Sequence, residues 1–367
     1  MGNHVFRQFQ SLNDNPDIAD VQASFPSYGA GQPVCTDPTQ IGYTRSNCNF
    51  GLVQTTANTA FSIYNGLQTS FTARNFHHWT GTASYTYSRT IDNTSEIFST
   101  GTGGNTSALA QDPLNPDIGE RGVSGNSYPN VIGLQMAYTE PWFNGQKGIL
   151  GRILGGYSFN AFYTYNNGQP FTPEQALTAQ SPFVNSSDPM ASTAFCDYGF
   201  SQVFGNPCRP ILSNAKAPIG TVGINTGAGG YINYVTGASI SPSDVHWLWS
   251  NEYEALARNN PFPGVGRNTL RGDSFNDLDL TVAKNIKLTE RLTTILQISA
   301  FNSLNRGYYG TPDPNIEDSL YPTLYGTPAG FLSNYYSAGG GESPVAGGAF
   351  GAGPGNRSIQ LAAKIVF

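Results

Sequence analysis

The sequence has 367 residues, of which 38% are hydrophobic, 13% aromatic and only 11% charged, and its formal net charge is −6. The charged fraction lies far below the roughly 25% of ordinary globular domains, while 20 Tyr and 22 Phe argue against a disordered chain. Lysine and arginine are scattered singly, so nucleic acid is excluded as a partner, and no stretch approaches the roughly 18 apolar residues of a membrane helix. Any membrane span must therefore be built from strands, with a secreted β-sandwich as the alternative.

Residues 1–57 are interpreted as a loop-rich N-terminal segment that forms an extracellular loop of a truncated barrel, and residues 58–367 as the C-terminal part of that barrel. The opening MGNHVFRQFQ lacks the basic and apolar regions of a secretory signal, so we expect the natural start to lie upstream. Asp14, Asp17 and Asp20 recur at a spacing of three, but the Gly and terminal Glu of a calcium loop are missing. We expect a solvated loop there.

The four cysteines fall into two local pairs, Cys35 with Cys48 and Cys196 with Cys208. Each pair lies in a segment rich in Gly, Pro and Asn, and neither has the C-x-x-C spacing or nearby histidines of a metal site. In an oxidising compartment this spacing predicts two loop disulfides, with four free thiols as the alternative.

From residue 67 onward the dominant pattern is an alternation of apolar and polar residues with a period of two. The segments are close to the roughly 9 to 11 residues that a tilted membrane strand needs. We therefore predict an all-β fold, a partial antiparallel transmembrane β-barrel with about seven to nine visible strands and long extracellular loops. The predicted apolar face includes Leu67, Phe71, Ala73, Trp79, Ala83, Tyr85, Tyr87, Ile132, Leu134, Met136, Tyr138, Tyr157, Phe159, Ala161, Tyr163, Leu278, Leu280, Val282, Leu292, Leu296, Ile298, Ile359, Leu361, Ala363, Ile365 and Phe367.

The lengths of the connections favour a barrel over a sandwich. Residues 74–79 and 287–291 are short turns and residues 140–155 a moderate one, whereas 92–128, 169–271 and 307–356 are long. Outer-membrane barrels alternate brief periplasmic turns with longer outer loops in this way. If the short turns face the periplasm, the last strand also ends there, and both cysteine pairs lie on the outer side.

Few residues form a pattern that supports catalysis. Asp277 and Asp279 alternate on one strand and are expected to be lumen-facing carboxylates, while His77 and His78 lie in a short turn where adjacent side chains diverge. No nucleophile elbow, phosphate loop or zinc-protease sequence occurs. We therefore expect no enzyme activity, no metal site and no cofactor. Aromatic residues of the long loops either bind a sugar or peptide or pack against one another: Trp247, Trp249, Tyr253, Tyr308, Tyr309, Tyr335 and Tyr336.

The ending RSIQLAAKIVF resembles the C-terminal insertion signal of outer-membrane barrels, with Ile359, Leu361, Ala363 and Ile365 at alternate positions and an aromatic residue, Phe367, at the end. Six further segments resemble, in this order, the C-terminal barrel region of TonB-dependent transporters. The most similar subgroup carries a carboxypeptidase regulatory-like domain at its N-terminus. The segments, which lie within residues 60–367, are YNGLQTSFTARNF, TGTASYTYSRTIDN, QDPLNPDIGERGVS, NNGQPFTP, GRNTLRGDSFNDLDLTVAKNIKLTERL and ISAFNSLN.

The resemblance implies an outer-membrane receptor or transporter barrel that takes up an unidentified oligosaccharide, peptide or siderophore. A full barrel of that family has about 22 strands, so we expect this chain to be a fragment or a truncated product. The implied partners are outer-membrane lipid, the barrel-assembly machinery, and TonB only through the missing plug region; the ligand-binding residues are unknown. A small self-contained outer-membrane pore or adhesin and a secreted β-sandwich binding module remain the alternatives.

Overall fold

The computed structural model describes residues 2–95, 110–143, 145–176, 178–197, 208–289, 292–306, 315–317 and 357–367. The strands are β1 (Gly2–Asn13), β2 (Gln54–Phe76), β3 (Trp79–Asp92), β4 (Gly122–Val123), β5 (Asn130–Thr139), β6 (Tyr157–Asn166), β7 (Pro170–Phe171), β8 (Ile211–Leu212), β9 (Val222–Asn225), β10 (Tyr231–Asn233), β11 (Trp247–Leu248), β12 (Leu270–Arg271), β13 (Phe275–Lys287), β14 (Thr293–Phe301) and β15 (Ser358–Val366). The helices are α1 (Ala19–Ser24), α2 (Pro116–Gly119), α3 (Gly148–Leu154), α4 (Pro189–Ser192) and α5 (Glu252–Arg258).

Nine of these strands form one large sheet, which we call the wall. Its order is β1, β2, β3, β5, β6, β13, β14 and β15, with β4 paired to the end of β3, and every neighbouring pair is antiparallel. Within the described residues β1 and β15 each have one neighbour, so the wall is open and no closed barrel is formed. The predicted antiparallel sheet is thus confirmed, while closure into a barrel is not observed.

The predicted apolar positions lie in strands of the wall, namely β2, β3, β5, β6, β13, β14 and β15, except that Leu292 directly precedes β14 and Phe367 directly follows β15. Strand β1 was not predicted, since it lies in the segment interpreted as loop-rich. The boundary expected between residues 57 and 58 falls inside β2, because the alternation becomes regular only after this long strand has begun. The extracellular position of residues 14–53 stays a prediction.

Connections of different length lie at opposite ends of the wall. Neighbouring strands are antiparallel, so the β2–β3 turn, the β5–β6 connection and the β13–β14 turn share one end, which we call the short-connection end. Asn75, His77 and His78 have positive φ angles of 54°, 48° and 69°, which reverse the chain between β2 and β3. The segments 14–53, 93–129, 167–274 and 302–357 all connect strands at the other end. The predicted separation of short and long connections is therefore confirmed.

The buried apolar core lies outside the wall. Its largest cluster is built by the connection between β6 and β13, which we call the excursion (residues 167–274) and which contains a four-stranded sheet of order β10, β9, β11, β8. The apolar side chains of the wall are instead largely exposed. The members of the cluster are Phe171, Val184, Ala191, Ala194, Cys196, Cys208, Val222, Ile224, Tyr234, Trp247, Trp249 and Ile316.

Candidate functional site

One face of the wall is apolar across β2 to β15. The register pairs Tyr87 with Leu67, Tyr138 with Trp79, and Phe159 with both Tyr138 and Val282. Because directly paired residues of neighbouring strands share a face, the predicted apolar positions of these strands combine into one continuous surface. Several of its side chains are exposed, among them Leu67, Phe71, Trp79, Tyr85, Tyr87, Met136, Phe159, Leu280, Val282, Leu296, Ile298, Ile359, Leu361 and Ile365. An exposed apolar sheet face of this extent is typical of a lipid-facing wall.

A row of aromatic rings crosses this face at the short-connection end. The ring centroids of Trp79 and Tyr138 are 4.7 Å apart, those of Tyr138 and Phe159 6.2 Å, and those of Phe159 and Tyr157 6.4 Å. The Lys284 ammonium lies 3.9 Å from the centre of the Tyr157 ring. Aromatic rings with an adjacent lysine favour the headgroup level of a membrane, so this row has the composition of an interfacial girdle.

The opposite face of the wall is largely polar. Thr281 and Ser299 are paired across β13 and β14, and their hydroxyl oxygens are 2.9 Å apart. Asp277 and Asp279 also lie on this face, as predicted from their alternate positions on β13. The backbone N–H of Asn302 donates to Asp279 Oδ1 at 2.9 Å, so this carboxylate holds the chain just after β14. Asp279 therefore has a structural role at the long-connection end.

The excursion is a folded unit instead of a set of open loops. Trp247 and Trp249 are fully buried in its core, which rules out the ligand-binding interpretation for these two rings and supports the packing alternative. Tyr253 packs against the same cluster, and its hydroxyl donates to Asp188 Oδ2 at 3.1 Å. The other aromatic residues considered as ligand contacts, Tyr308, Tyr309, Tyr335 and Tyr336, lie outside the described residues.

Both predicted disulfides are present. Cys35 is bonded to Cys48, and Cys196 is bonded to Cys208. The first bond closes the connection between β1 and β2, whereas Cys196 and Cys208 are buried in the core of the excursion. Each bond therefore constrains a segment at the long-connection end.

The connection between β1 and β2 packs against the excursion. Phe25 meets Phe195 edge to face with ring centroids 5.5 Å apart, and Tyr28 meets Phe262 at 5.7 Å. Ser24, at the end of α1, also donates a hydrogen bond to Glu252. The β1–β2 connection and the excursion thus pack together at the long-connection end of the wall.

A buried cluster of four charged side chains joins the excursion to β3. Arg267 Nη2 lies 3.1 Å from Asp92 Oδ1, and its Nη1 donates to the backbone oxygen of Glu120 at 3.1 Å. Glu120 also forms an ion pair with Arg209, and Ser95 accepts a hydrogen bond of 2.7 Å from Arg267. All four charged residues are buried, and two acids balance two bases. Burial lowers the pKa of Arg267, and the carboxylates of Asp92 and Glu120 oppose that shift. Because the charges are buried and paired with one another, the cluster has a structural role, and we call it the junction.

Asp92, Glu120 and Arg267 lie in three of the segments that carry the family resemblance, but their pairing was not predicted. These residues are separated by up to 175 positions, so no local pattern indicates that they meet. The only sequence signal for the pairing was that these segments contain both acidic and basic residues. The structure brings these charges into contact.

A second buried acid attaches residues 315–317 to the excursion. The indole N–H of Trp249 donates to Glu317, and Ile316 is fully buried in the main cluster. The Glu317 side chain is enclosed by this core, and burial raises its pKa to about 7. Glu317 therefore gains a proton in the folded protein at a pH where an exposed carboxyl group is ionised.

His77 and His78 occupy the β2–β3 turn, where Phe76 packs edge to face against His77 at 4.5 Å. Asp14 accepts from Thr55 at 2.6 Å and Asp17 from Thr44 at 2.6 Å, so these acids serve separate contacts. Among the residues that the structure describes, no group of three or more His, Cys, Asp or Glu side chains is arranged to hold a metal ion. No helix in the same residues is both long enough and apolar enough to cross a membrane.

Comparison with known proteins gives one family. The family model described as "Outer membrane beta barrel domain" matches residues 1–331, which include the strands from β1 to β14 and the excursion. No curated protein matches the chain. On the basis of this match, the antiparallel wall and its exposed apolar face, the chain belongs to the outer membrane β-barrel domain family and is a protein of the bacterial outer membrane.

Proposed function

We propose that the chain is the C-terminal part of an outer-membrane receptor barrel of the TonB-dependent class, which takes up an oligosaccharide, peptide or siderophore. The observation that carries this proposal is the folded excursion with its own buried core at the long-connection end of the wall. A simple pore needs only short or constricting loops, whereas a receptor needs an ordered surface outside the membrane. The excursion supplies such a surface.

The junction of Asp92, Glu120, Arg209 and Arg267 supports this interpretation. It ties the excursion to the end of β3 through buried charges, so a force or displacement in the excursion is transmitted to the wall. Separating these partners would leave uncompensated buried charges, so opening the junction is energetically costly. A rigid outer surface is preorganised for ligand binding.

The proposed partners follow from the positions of the apolar face, the short connections and β15. Outer-membrane lipid covers the apolar face, and the short connections face the periplasm. The barrel-assembly machinery reads β15, whose Ile359, Leu361 and Ile365 are exposed along one edge strand, together with Phe367, which is 98% exposed one residue past the strand. TonB acts through a plug region that is outside this chain. We propose no catalytic activity, cofactor or nucleic-acid partner.

The test is to isolate the native protein from outer membranes of the producing bacterium with an antibody against the excursion. A receptor of this class is expected to be larger than 39.3 kDa and to be captured by TonB after cross-linking in cells. A species of 39.3 kDa that is not cross-linked to TonB and that conducts ions in planar bilayers without an energy source would contradict the proposal and favour the pore.

A further inference from the structure

The connection between β5 and β6 contains a helix at the short-connection end of the wall. Helix α3 turns its Gly151 side toward the preceding chain, where a Cβ atom on Gly151 would lie 3.1 Å from the carbonyl carbon of Gln146. Gly151 and Gln146 are both buried. The helix is therefore packed through its glycine side, and the side that carries its large residues faces outward.

That outward side is aliphatic. Ile149 is 80% exposed and Leu150 69%, and Ile153 and Leu154 are exposed as well. At 3.6 residues per turn these four positions fall within an arc of about 140° around the helix axis, and those three or four residues apart are direct neighbours, so the four side chains form a single apolar surface. Trp142, which precedes the helix, is also exposed. Exposed apolar residues grouped in this way mark an interaction surface.

Contacts with β13 fix this helix beside the lipid-facing side of the wall. Lys284 Nζ, which belongs to the apolar face by its register, donates to the backbone oxygens of Ile153 at 2.6 Å and Gly155 at 3.1 Å. Gln146 Nε2 donates to the backbone oxygen of Asn285 at 2.6 Å. Helix α3 thus lies at the same end of the wall as the aromatic row, and Lys284 contacts both the helix and the Tyr157 ring.

The charges of the segment complement a phospholipid surface. Lys147 and Arg152 are exposed, and the sequence from residue 141 to 156 contains no Asp or Glu. A short helix with large apolar residues on one side and cations beside them is the composition of an interfacial membrane helix. Phospholipid headgroups carry phosphates at this level, which complement the charges of Lys147 and Arg152.

We propose that residues 145–156 form an interfacial anchor that rests on the phospholipid headgroups, with Ile149, Leu150, Ile153 and Leu154 inserted at the boundary of the acyl chains. Since the short connections are proposed to face the periplasm, this is the inner leaflet of the outer membrane. The anchor fixes the height of the wall in the membrane at its short-connection end. It does not depend on TonB coupling or on the identity of any ligand.

The test uses single cysteines labelled with an environment-sensitive fluorophore in the full chain, reconstituted in vesicles of phosphatidylethanolamine and phosphatidylglycerol. All four native cysteines are in disulfides, so only the introduced thiol reacts. Leu150→Cys probes the apolar surface of the helix. Ile41→Cys, at a side chain 74% exposed in the β1–β2 connection, controls for an exposed aliphatic position away from the membrane.

We expect the label at Leu150 to emit at shorter wavelength and to be quenched more by nitroxide lipids than by aqueous iodide. The label at Ile41 should show the opposite preference. Lipid quenching at Leu150 no stronger than at Ile41 would overturn the proposal, because α3 would then lie in water. Shielding of the Leu150 label from both quenchers would also overturn it, since a protein surface or a second copy would then cover the helix.

Discussion

Leu280 gives the most direct test of which face of the wall meets lipid. It lies on the apolar face of β13, four positions from Asn276 and four from Lys284, which bound the apolar run on that face. At about 3.3 Å per residue each polar limit is about 13 Å away along the strand. Leu280 is therefore at the middle of the run and 41% exposed, so Leu280→Arg places a cation near the membrane midplane.

An arginine at the midplane of a lipid-facing strand costs about 2–4 kcal/mol. Asn160 provides the matched control, because it is exposed on the opposite face, next to Ala161, which pairs with Leu280. Asn160→Arg should change stability by no more than about 0.5 kcal/mol. We would measure the free energy of unfolding by urea titration of the full chain in lipid vesicles, following tryptophan fluorescence. Equal costs at the two positions would refute the assignment of the faces.

Three further predictions concern the buried charges and the C-terminus. Arg267→Met should destabilise the protein by about 3–5 kcal/mol in the same titration, because Asp92 and Glu120 lose a buried partner; a cost below about 1 kcal/mol, the level of an exposed pair, would mean that the junction is solvated. The ordinary pKa of Glu317 is 4.5 and its pKa in the folded protein is about 7. Its contribution to the free energy of unfolding is therefore full below pH 4.5, and about 3 kcal/mol of stability is lost as the pH rises from there through 7. Glu317→Gln should abolish this decline, and an unchanged pH profile would contradict the assignment. Deleting Phe367 removes an exposed residue and should leave refolding in detergent nearly normal while membrane-inserted yield in cells collapses; unchanged insertion in cells would remove the proposed signal.

Local patterns determined most of the wall. Alternation with a period of two places side chains on opposite faces of any strand, so the apolar positions from residue 67 onward identified both the strands and the face they share. The separation of short and long connections follows from the same pattern, because antiparallel neighbours must place successive connections at opposite ends. The disulfides were predictable since each joins cysteines only 12 or 13 positions apart.

Tertiary structure decided what local patterns do not encode. The sequence of β1 mixes single apolar residues with charged and amide residues and shows no regular alternation, so this strand is established only by its pairing with β2. Whether Trp247 and Trp249 are buried or available to a ligand depends on the folding of the whole excursion, because the local sequence is the same in either case.

The buried charges show the same limit most clearly. Arg209 and Glu120 are 89 positions apart, and Arg267 and Asp92 are 175 apart, so the partner of each charge is fixed only when the excursion folds back onto the end of β3. The exposed aliphatic side of α3 was not predictable for a related reason. Its sequence predicts neither burial nor exposure, and the position of the helix against Lys284 leaves that side uncovered. Sequence periodicity thus determined most of the wall, whereas long-range contacts determined how the excursion and α3 are attached to its two ends.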